Sequence, residues 1–580
     1  MGIPVLTQTI VDGGLGLLPD SIDNVHVKVG VCSSGAAASL AGYSDTSVLV
    51  TALGVGPLVD CTAGALVTPT QGKAGRPVYC QRIVPAATGA QSAVTATRVA
   101  SSTGVVATTG TALDSGQCKV KITRAGTRNT GAFQLSLDNG NTYAPEVTIP
   151  TAGTYAPTGT GFSITFDAGT YEVGDIFSFT ATEPAFTSTE LGTALDALLA
   201  NPLEWSFLHV VGVPPPEMTS VTSAGTAPPV VGLTGTPNAY HNVRIEITTG
   251  GARGIAVFRW SVDGGTTWTS AVTTAAAVVL TGSGLTATFA TGTDYATDNV
   301  YTAHSGKALR DRADMAKTKM TSAETASRYA FILLDAPPDM SDAVLIAAMD
   351  TFESVRVGIA AGPVRVISPI SNRKLRRPFG WTAAARLAAI DPHRHPGEVA
   401  MGALADVTTT ETSGSDFRDE RKTEVLDVKR FLTSRTHIGF AGAYCTRGRL
   451  MAPAGSDYAQ VMNRRVMDKT CRIARLGGMR FMNAALPVNP SSSTVQAGLP
   501  GAPGTLDERT ARDIEGYIGG LLNASLLATR QVSQVQVQVN RTDNILSTAT
   551  LRMKVRVTPL AYAETIEQEL SLTNPALQLV

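Results

Sequence analysis

Two short stretches of the sequence place an aspartate in a glycine-containing turn and could take part in acid–base chemistry. SLDNGNTY (136–143) and SVDGGTTW (261–268) share the pattern Ser-x-Asp-x-Gly-x-Thr-aromatic. The reaction to consider is hydrolysis of a glycosidic bond, which needs two carboxyl groups that flank the bond. Acidic residues that could supply the second carboxyl follow each stretch: Glu146, Asp167, Glu172 and Asp175 in the first case, Asp294 and Asp298 in the second. The spacing does not pair any of them with Asp138 or Asp263.

The same pattern is also typical of a structural turn. It resembles the Asp-box hairpin of sialidases and other β-propellers, in which Asp and Gly shape the turn and the aromatic ring packs beneath it. Here it occurs once per long repeat instead of once per propeller blade, which favours a structural role over a glycosidase. We therefore predict six structural turn residues, Asp138, Gly140 and Tyr143 in the first copy and Asp263, Gly265 and Trp268 in the second.

The two stretches belong to a longer internal repeat. Residues 110–140 align without a gap with residues 235–265, and GTGFSITFDAGTYEVGD further on resembles GSGLTATFATGTDYATD after a two-residue slip. Each copy has short apolar runs of alternating polarity, cut by Gly, Asn and Asp, as in the antiparallel strands of a sandwich. We therefore predict two all-β, sandwich-like domains at 93–184 and 218–304.

Other residues that could do chemistry have simpler interpretations. His209 lies in an apolar strand, which favours a packed core histidine over a catalytic base. His393 and His395 in DPHRHPGE indicate a surface loop more than a metal site. The basic run NRKLRRPF (372–379) lacks a larger basic field, which favours an interface patch over a nucleic-acid site. With no GxSxG elbow near a triad and no GxxxxGK(S/T) phosphate loop, we predict no catalytic residue, no cofactor and no metal.

Composition limits the class of protein. The 580 residues are too many for one ordinary domain, and 47 basic against 47 acidic side chains give a formal net charge of zero. We expect neither nucleic acid nor membrane insertion. The apolar run 48–67 contains Pro57 and Asp60 and indicates strand and loop, and residues 1–16 lack the basic start of a secretory signal. The six cysteines have no paired spacing, so we expect buried free thiols, with late disulfides left open.

Outside the repeats, strands and helices alternate. STELGTALDALLANP predicts a helix before a strand at 207–213. A helix is predicted at 307–327, a strand at 329–335, a second helix with Ser341 as its N-cap, and a strand at 355–360. This order predicts an α/β layer with a mainly parallel sheet, into or beside which the two β-domains are inserted.

The last third of the chain ends in two alternating strands. Helices are predicted near 456–475 and 506–529, the second opened by a capping box from Thr505 to Glu508. VSQVQVQVN and TATLRMKVRV follow, joined by the turn RTDN. Both termini contain strand-like stretches without an obvious partner, and a lone strand in water must pair somewhere. We predict that Thr9, Ile10 and Val11, and Ile566, Leu570 and Leu572, pair with the sheet edge of a neighbouring copy.

These segments, taken in order, resemble the contractile tail sheath proteins of bacteriophages, a family shared with pyocins and type VI secretion sheaths. LTSRTHIGFAGAYCTRGRLM resembles a strand pair ending in a Gly-Arg turn, YAQVMNRRVMDKTCRIAR the Arg-Arg helix, and ILSTATLRMKVRVTPLAYAETIEQELSLTNP the closing strands and arm. VHVKVGVCSSG and GRPVYCQRIVP resemble the first core strands, and HVVGVPP and AFILLDAPP resemble strands of a subtilisin-like α/β domain. The resemblance covers about two thirds of the chain, everything except the repeats.

The resemblance implies an architecture of eight segments. They are an N-terminal strand-exchange arm (1–22), a first core segment (23–92), β-domain I (93–184), a second core segment of α/β type (185–217), β-domain II (218–304), a third core segment of α/β type (305–405), an α+β C-terminal sheath domain (406–560) and a C-terminal strand-exchange arm (561–580). In the family such β-insertions decorate the outer surface.

The resemblance also implies a function without catalysis. Sheath subunits polymerise helically around an inner tube and contract to drive the tube through the host envelope, which leads to genome ejection and entry into the host cell. The implied partners are other copies of the chain, the tail tube protein, and baseplate and tail terminator proteins. The implied location is the virion, with assembly in the host bacterial cytoplasm. The first alternative is a tail-associated adhesin whose β-repeats bind glycans, and the second is a glycosidase.

The Arg-Arg helix is the predicted contact with the tube. Tyr458, Val461, Met462, Val466 and Ile473 form one apolar face. Arg464, Asp468, Arg472 and Arg475 fall at helical spacing on another face. Since a helix of the C-terminal domain faces the tube in the family, we expect Arg464, Arg472 and Arg475 to meet acidic tube residues through weak, screened pairs.

Overall fold

The computed structural model describes residues 22–67, 77–292, 294–405, 407 and 425–572. The chain divides into two compact units, residues 1–468 and 469–580, and the division falls inside one long helix. The predicted arm residues Thr9, Ile10 and Val11 lie outside the described residues.

The first unit begins with a 3-10 helix, Ile22–Asn24, followed by the opening elements of an α/β layer. These are β1 (His26–Gly30), β2 (Leu40–Tyr43), α1 (Thr46–Leu53), α2 (Pro57–Val67) and β3 (Val78–Arg82). The prediction of strand and loop for 48–67 was wrong, because this run forms α1 and α2. The carboxylate of Asp45 caps α1 by accepting from the backbone N–H groups of Ser47 and Val48. Pro57 stands at the first position of α2, where its missing N–H costs nothing.

The first repeat forms two small antiparallel sheets around one apolar cluster. Its strands are β4 (Ala90–Gln91), β5 (Thr95–Thr97), β6 (Val106–Gly110), β7 (Gly116–Arg124), β8 (Ala132–Ser136), β9 (Val147–Thr148), β10 (Thr154–Tyr155), β11 (Phe162–Phe166) and β12 (Ile176–Thr182). One sheet contains β10, β11 and β6, and the other contains β4, β5, β12, β7, β8 and β9. After it come α3 (Ser188–Ala200), capped by Thr187, and β13 (Phe207–Val210).

The second repeat has the same plan around its own cluster. Its strands are β14 (Thr222–Ala224), β15 (Val231–Gly235), β16 (Asn242–Thr249), β17 (Val257–Ser261), β18 (Val272–Thr273), β19 (Ala277–Leu280), β20 (Leu285–Phe289) and β21 (Val300–His304). Equivalent register shifts occur in the two copies, between Ile122 and Arg124 and between Ile247 and Thr249. A shared bulge at the same place of the repeat shows that the sequence duplication is also a structural one.

The α/β layer then continues. Its elements are α4 (Lys307–Thr325), β22 (Phe331–Asp335), α5 (Asp342–Met349), β23 (Val357–Ala360), β24 (Pro363–Ile367), β25 (Lys374–Pro378), α6 (Gly380–Ala389), a 3-10 helix (Val399–Met401), α7 (Val425–Val428), β26 (Ser434–Arg435) and β27 (Tyr444–Cys445). The helix predicted at 307–327 is confirmed as α4, and Ser341 caps α5 by accepting from the N–H of Val344.

A six-stranded sheet forms the centre of the first unit. Its order is β2-β3-β1-β13-β22-β23, and all pairs are parallel except β2 with β3. This result confirms the predicted, mainly parallel α/β layer. Every residue of β1, β13, β22 and β23 is buried, as expected of parallel strands covered on both faces. The largest apolar cluster of the unit lies against this sheet.

The last elements are α8 (Val461–Met479), α9 (Glu508–Leu522), a π-helical turn (Asn523–Leu527), β28 (Gln534–Val539), α10 (Ile545–Thr548) and β29 (Met553–Thr558). The predicted capping box was wrong in its first residue. The N-cap of α9 is Asp507, which accepts from the N–H groups of Arg509 and Thr510, whereas the Thr505 hydroxyl is buried and donates to the carbonyl of Ala502.

Candidate assembly surfaces

The second unit contains a two-stranded sheet whose outer edges have no partner among the described residues. β28 and β29 are antiparallel and pair from Gln534 opposite Thr558 to Val539 opposite Met553. Val535, Val537 and Val539 alternate with exposed glutamines, so that one face of β28 is apolar. A two-stranded sheet is marginal in water, and open edges pair readily with another strand. This hairpin is therefore a ready acceptor for an additional strand.

Helix α9 holds the hairpin in place. α9 packs against β28, and Oε1 of Glu515 accepts from the N–H of Val539 at 2.7 Å. Arg541, just after β28, pairs with Glu515 at 2.7 Å and with Glu508 at 2.6 Å. The hydrogen bonds from Arg541 lower the pKa of both glutamates. Both carboxylates stay ionised at neutral pH, and the hairpin is presented on a fixed support.

The segment after β29 has the pattern of an unpaired strand. Residues 561–572 are described without strand or helix. Ile566, Leu570 and Leu572 are exposed to 74%, 88% and 105%. These positions alternate with Glu567 and Glu569, so in an extended chain the three apolar side chains would share one face. The segment thus has an apolar stripe that nothing in the described chain covers.

The structure corrects half of the predicted tube contact on α8. Arg464 and Asp468 are buried, and Arg464 donates to Oδ1 of Asp468 at 2.5 Å and 3.0 Å. Asp468 also accepts from buried Arg356 at 3.1 Å. The predicted helical spacing is correct, but both residues lie inside a buried ion network instead of on a surface. Arg472 is half-buried and Arg475 is exposed, and their contact with a tube stays a prediction.

The repeated aspartate motifs form two matching turns. In the first, Oδ1 of Asp138 accepts from the Ser136 hydroxyl at 2.8 Å and from the N–H of Thr142 at 2.8 Å. In the second, Asp263 accepts from Ser261 at 2.6 Å and from the N–H of Thr267 at 2.9 Å. Gly140 and Gly265 have φ of 89° and 104°, a region that glycine adopts without strain. In both turns the carboxylate accepts its hydrogen bonds from the loop itself and stabilises the shape of the loop.

A cation lies near the aromatic ring of each turn. The guanidinium of Arg259 lies 4.2 Å from the centre of the Trp268 ring, and Lys121 lies 5.9 Å from that of Tyr143. Arg259 also pairs with Glu246 at 2.7 Å, which holds it over the ring. Since aromatic rings bind glycans by stacking, the Arg259 guanidinium occupies a face of the Trp268 ring that a sugar would otherwise use.

A buried chain of titratable groups crosses the central sheet, and sequence reasoning found only its histidine. Nζ of Lys28 lies 3.1 Å from Nδ1 of His209, and Nε2 of His209 lies 3.0 Å from Oδ1 of Asp335. The thiol of Cys61 lies 3.2 Å from Lys28. The parallel register produces this row, because Lys28 stands opposite His209, and Asp335 follows two residues after Leu333, which also pairs with His209. The signal was present as a lysine in the buried strand HVKVG and an aspartate at the end of FILLD.

Cys61, His209 and Asp335 resemble a Cys-His-Asp constellation, but they are closed off from solvent. Lys28 and His209 are fully buried, which confirms the prediction of a core histidine. Burial lowers the pKa of His209 more than Asp335 raises it. His209 is therefore neutral, with Nδ1 as the acceptor from Lys28 and Nε2–H as the donor to Asp335. Burial raises the pKa of Cys61 to about 12, which keeps it a thiol. The row pairs the buried side chains of Lys28, His209 and Asp335 with one another and offers no nucleophile to solvent.

The remaining candidates are also structural. Arg377 of the basic run is 2% exposed and pairs with Asp60 at 3.3 Å and with Asp114 at 2.5 Å. Nδ1 of His395 accepts from the N–H of Gly397. The described part of the chain has no group of three or more His, Cys, Asp or Glu that could hold a metal. Five of the six cysteines are buried free thiols, and Cys471 is half-buried. No helix in the described ranges is long and apolar enough to cross a bilayer.

Two family models match the chain in succession. Residues 217–449 match DUF2586, N-terminal domain, and residues 457–577 match DUF2586, C-terminal domain. Together they span more than half of the chain, which is therefore similar to both domains of the DUF2586 family in their order along the sequence. A comparison with curated proteins gives no match.

Solved structures similar to this chain include sheath proteins of contractile systems. A sheath tail protein from Desulfitobacterium hafniense is 11% identical, with 96% of this chain and 100% of that chain covered, at a TM-score of 0.38. One from Listeria innocua is 10% identical, with 93% and 96% covered, at 0.36. The PVC sheath complex in the contracted state, from an extracellular contractile injection system, is 14% identical, with 44% and 67% covered, at 0.33. TM-scores below 0.5 do not establish a shared fold by themselves.

Proposed function

We propose that the chain is the sheath subunit of a contractile tail, a structural protein that works by polymerising and rearranging. The observation that carries the proposal is an open-edged hairpin, β28–β29, in the same chain as an extended segment with an apolar stripe. A chain that offers both a strand and a sheet edge cannot satisfy them in a two-stranded hairpin alone. Each copy that donates its strand to the next one builds an open polymer.

In this proposal Ile566, Leu570 and Leu572 enter the apolar face next to the hairpin of a neighbouring copy. The N-terminal residues Thr9, Ile10 and Val11 supply a second strand. Main-chain hydrogen bonds give the pairing its affinity, and the alternation of Leu with Glu fixes which face turns inward. Strands of this kind keep copies linked while the rigid cores rotate, which a shortening sheath requires.

The finer features of the proposal come from the sequence resemblance. The α/β layer is a subtilisin-like core, and β-domains I and II are outward-facing insertions in it. Arg472 and Arg475 meet an inner tube, and the ends of the polymer meet baseplate and terminator proteins. Contraction drives the tube through a host envelope from a virion assembled in the bacterial cytoplasm. The proposal includes no catalytic step.

Electron microscopy of the full chain, expressed alone, tests this function. We expect long hollow tubes or stacked rings by negative stain. Burying a leucine side chain contributes about 1.5–3 kcal/mol, so the double variant Leu570→Asp, Leu572→Asp should raise the concentration needed for assembly at least about 100-fold. The matched control is Glu567→Gln, Glu569→Gln, which changes the opposite face of the same segment and should still assemble.

Two results would contradict the proposal at different levels. Dispersed monomers of the unaltered chain over a range of salt concentrations would count against a self-assembling sheath. Assembly of the double aspartate variant at the same concentration as the control would leave the polymer intact but exclude this segment as the strand that links the copies.

A further inference from the structure

A cavity of about 410 Å³ lies at the carboxyl end of the central parallel sheet. β13 ends at Val210 and β22 at Asp335, and the loops that follow them, 212–216 and 338–339, line the cavity. The turn 137–139 of the first repeat and residues 238–240 of the second, between β15 and β16, close other sides. In open α/β sheets ligands bind beyond the carboxyl ends of the strands, and this volume is within the range of small-molecule sites.

The walls of the cavity are mainly apolar and conformationally fixed. Five prolines line it, Pro214, Pro215, Pro216, Pro338 and Pro378, together with Val213, Leu375 and Trp381. Proline fixes its own backbone, so little conformational entropy is lost when a ligand binds. The hydroxyl of Tyr240 donates to the carbonyl of Pro214 and holds two of these walls together. Such walls suit an apolar ligand body.

Among the described residues, each charged side chain that lines the cavity has a hydrogen-bond or ion-pair partner, with one exception. The acidic groups are engaged: Glu183 accepts from the N–H of Val213 and the Ser115 hydroxyl, Asp138 holds its turn, and Asp339 pairs with Arg376. Arg377 pairs with Asp114, and Arg365 has a partner of its own. Lys374 lines the cavity, is half-buried, and has no ion-pair partner among the residues that the structure describes. Lys374 is therefore the charged residue of this lining that is left without a counter-ion or hydrogen-bond partner among the described residues.

We propose that this cavity binds a small amphipathic organic anion, a carboxylate with an alkyl or aryl body, with Lys374 as the group that pairs with the carboxylate. A partly desolvated ammonium without a counter-ion is stabilised by an anion, and the proline walls remove the apolar body from water. This site does not depend on the proposed sheath role, so a chain that fails to assemble could still bind the anion.

Binding of decanoate to the full chain tests the proposal by isothermal titration calorimetry. We expect saturable binding of one decanoate per chain. Lys374→Gln should weaken it about tenfold or more, as expected for loss of a hydrogen bond to a charged group. Ala239→Trp, which places a large ring at the cavity wall, should abolish binding. Lys121→Gln is the matched control, because Lys121 is exposed on the outer face of β7 and also has no ion-pair partner among the described residues.

The charge and the location are tested separately. Decylammonium should bind at least tenfold more weakly than decanoate, and equal binding of the two would overturn the assignment of an anion. No decanoate binding at millimolar concentration, or equal binding to the Lys374→Gln, Ala239→Trp and Lys121→Gln variants, would overturn the site. Far-UV circular dichroism of each variant shows whether it is folded, and Lys374→Arg, which keeps the charge, should restore most of the affinity.

Discussion

Replacing Asp468 with Asn should destabilise the first unit by about 3 kcal/mol. Asp468 is buried and accepts from two buried arginines, Arg464 at 2.5 Å and Arg356 at 3.1 Å. Removing one partner of a buried ion pair costs about 3–5 kcal/mol, because the remaining charge is left uncompensated. Arg356 keeps a two-pronged pair with Glu324, at 2.7 Å and 2.8 Å. Only Arg464 is therefore left without a carboxylate, which places the expected cost at the lower end of this range.

The tryptophans make this measurement selective. All four, Trp205, Trp260, Trp268 and Trp381, precede residue 468, so their fluorescence during urea unfolding of the unassembled chain reports on the first unit. The control is Asp314→Asn, which removes an ion pair with Arg310 in which the aspartate side chain is 51% exposed. Exposed pairs contribute about 0–1 kcal/mol.

A double-mutant cycle separates charge from packing. Arg464→Met removes the cation that Asp468→Asn leaves unpaired, so the double variant should regain some of the lost stability. If Asp468→Asn costs no more than Asp314→Asn, the buried network does not hold this portion of α8 in place, and the reasoning is refuted.

Two further predictions concern the repeats and their junction with the core. Gly265→Ala should lower the free energy of unfolding by about 1–2 kcal/mol, because φ is 104° and the new Cβ would lie 3.2 Å from the Trp268 ring. The control is Gly64→Ala in α2, which has nothing within 4 Å of its Cβ and should be neutral or stabilising in the same urea titration. Glu183→Gln should stabilise the first unit at neutral pH, because burial raises the pKa of this carboxyl and its ionised form therefore costs stability. The gain over the unaltered chain should be absent below the pKa of an unfolded glutamate, grow between that pKa and the raised pKa of the folded state, and level off above it. Urea unfolding as a function of pH would contradict this if the gain were the same at every pH.

Much of the fold could be predicted from the sequence, because its periodicities are simple. Buried parallel strands such as FILLD form continuous apolar runs, and α4 has a long regular helical pattern. Direct alignment reveals the repeats, and the structure adds their common bulge. The prediction for 48–67 was wrong because Val, Leu and Gly there suggest strand and loop locally, whereas a cap at Asp45 and burial of Leu49, Leu58 and Val59 select helices.

The site was harder to predict, because pairing in space decides which charges are free. Helical spacing correctly placed Arg464 and Asp468, which are four residues apart, on the same face of α8. It could not show that Arg356 approaches the same carboxylate and closes it off from solvent. Lys28 and Asp335 are separated by 307 positions in the chain and meet only through the register of β1, β13 and β22. Lys374 lies in a basic run in which Arg376 and Arg377 find acidic partners, and only the fold shows that Lys374 has none among the described residues.

The contrast between the two units of the chain supports an assembly role. The first unit pairs buried charged groups with one another, so that Arg377, Asp468 and His209 each have a charged hydrogen-bond partner inside one copy. The second unit does the opposite and leaves two strand edges and an apolar stripe at Ile566, Leu570 and Leu572 without a partner in the described chain. A monomeric protein avoids this combination, because open edges and exposed apolar alternation promote association. Since a hairpin of two strands gains stability when a third strand covers it, the energy that drives association is concentrated in the segment that a neighbouring copy can supply.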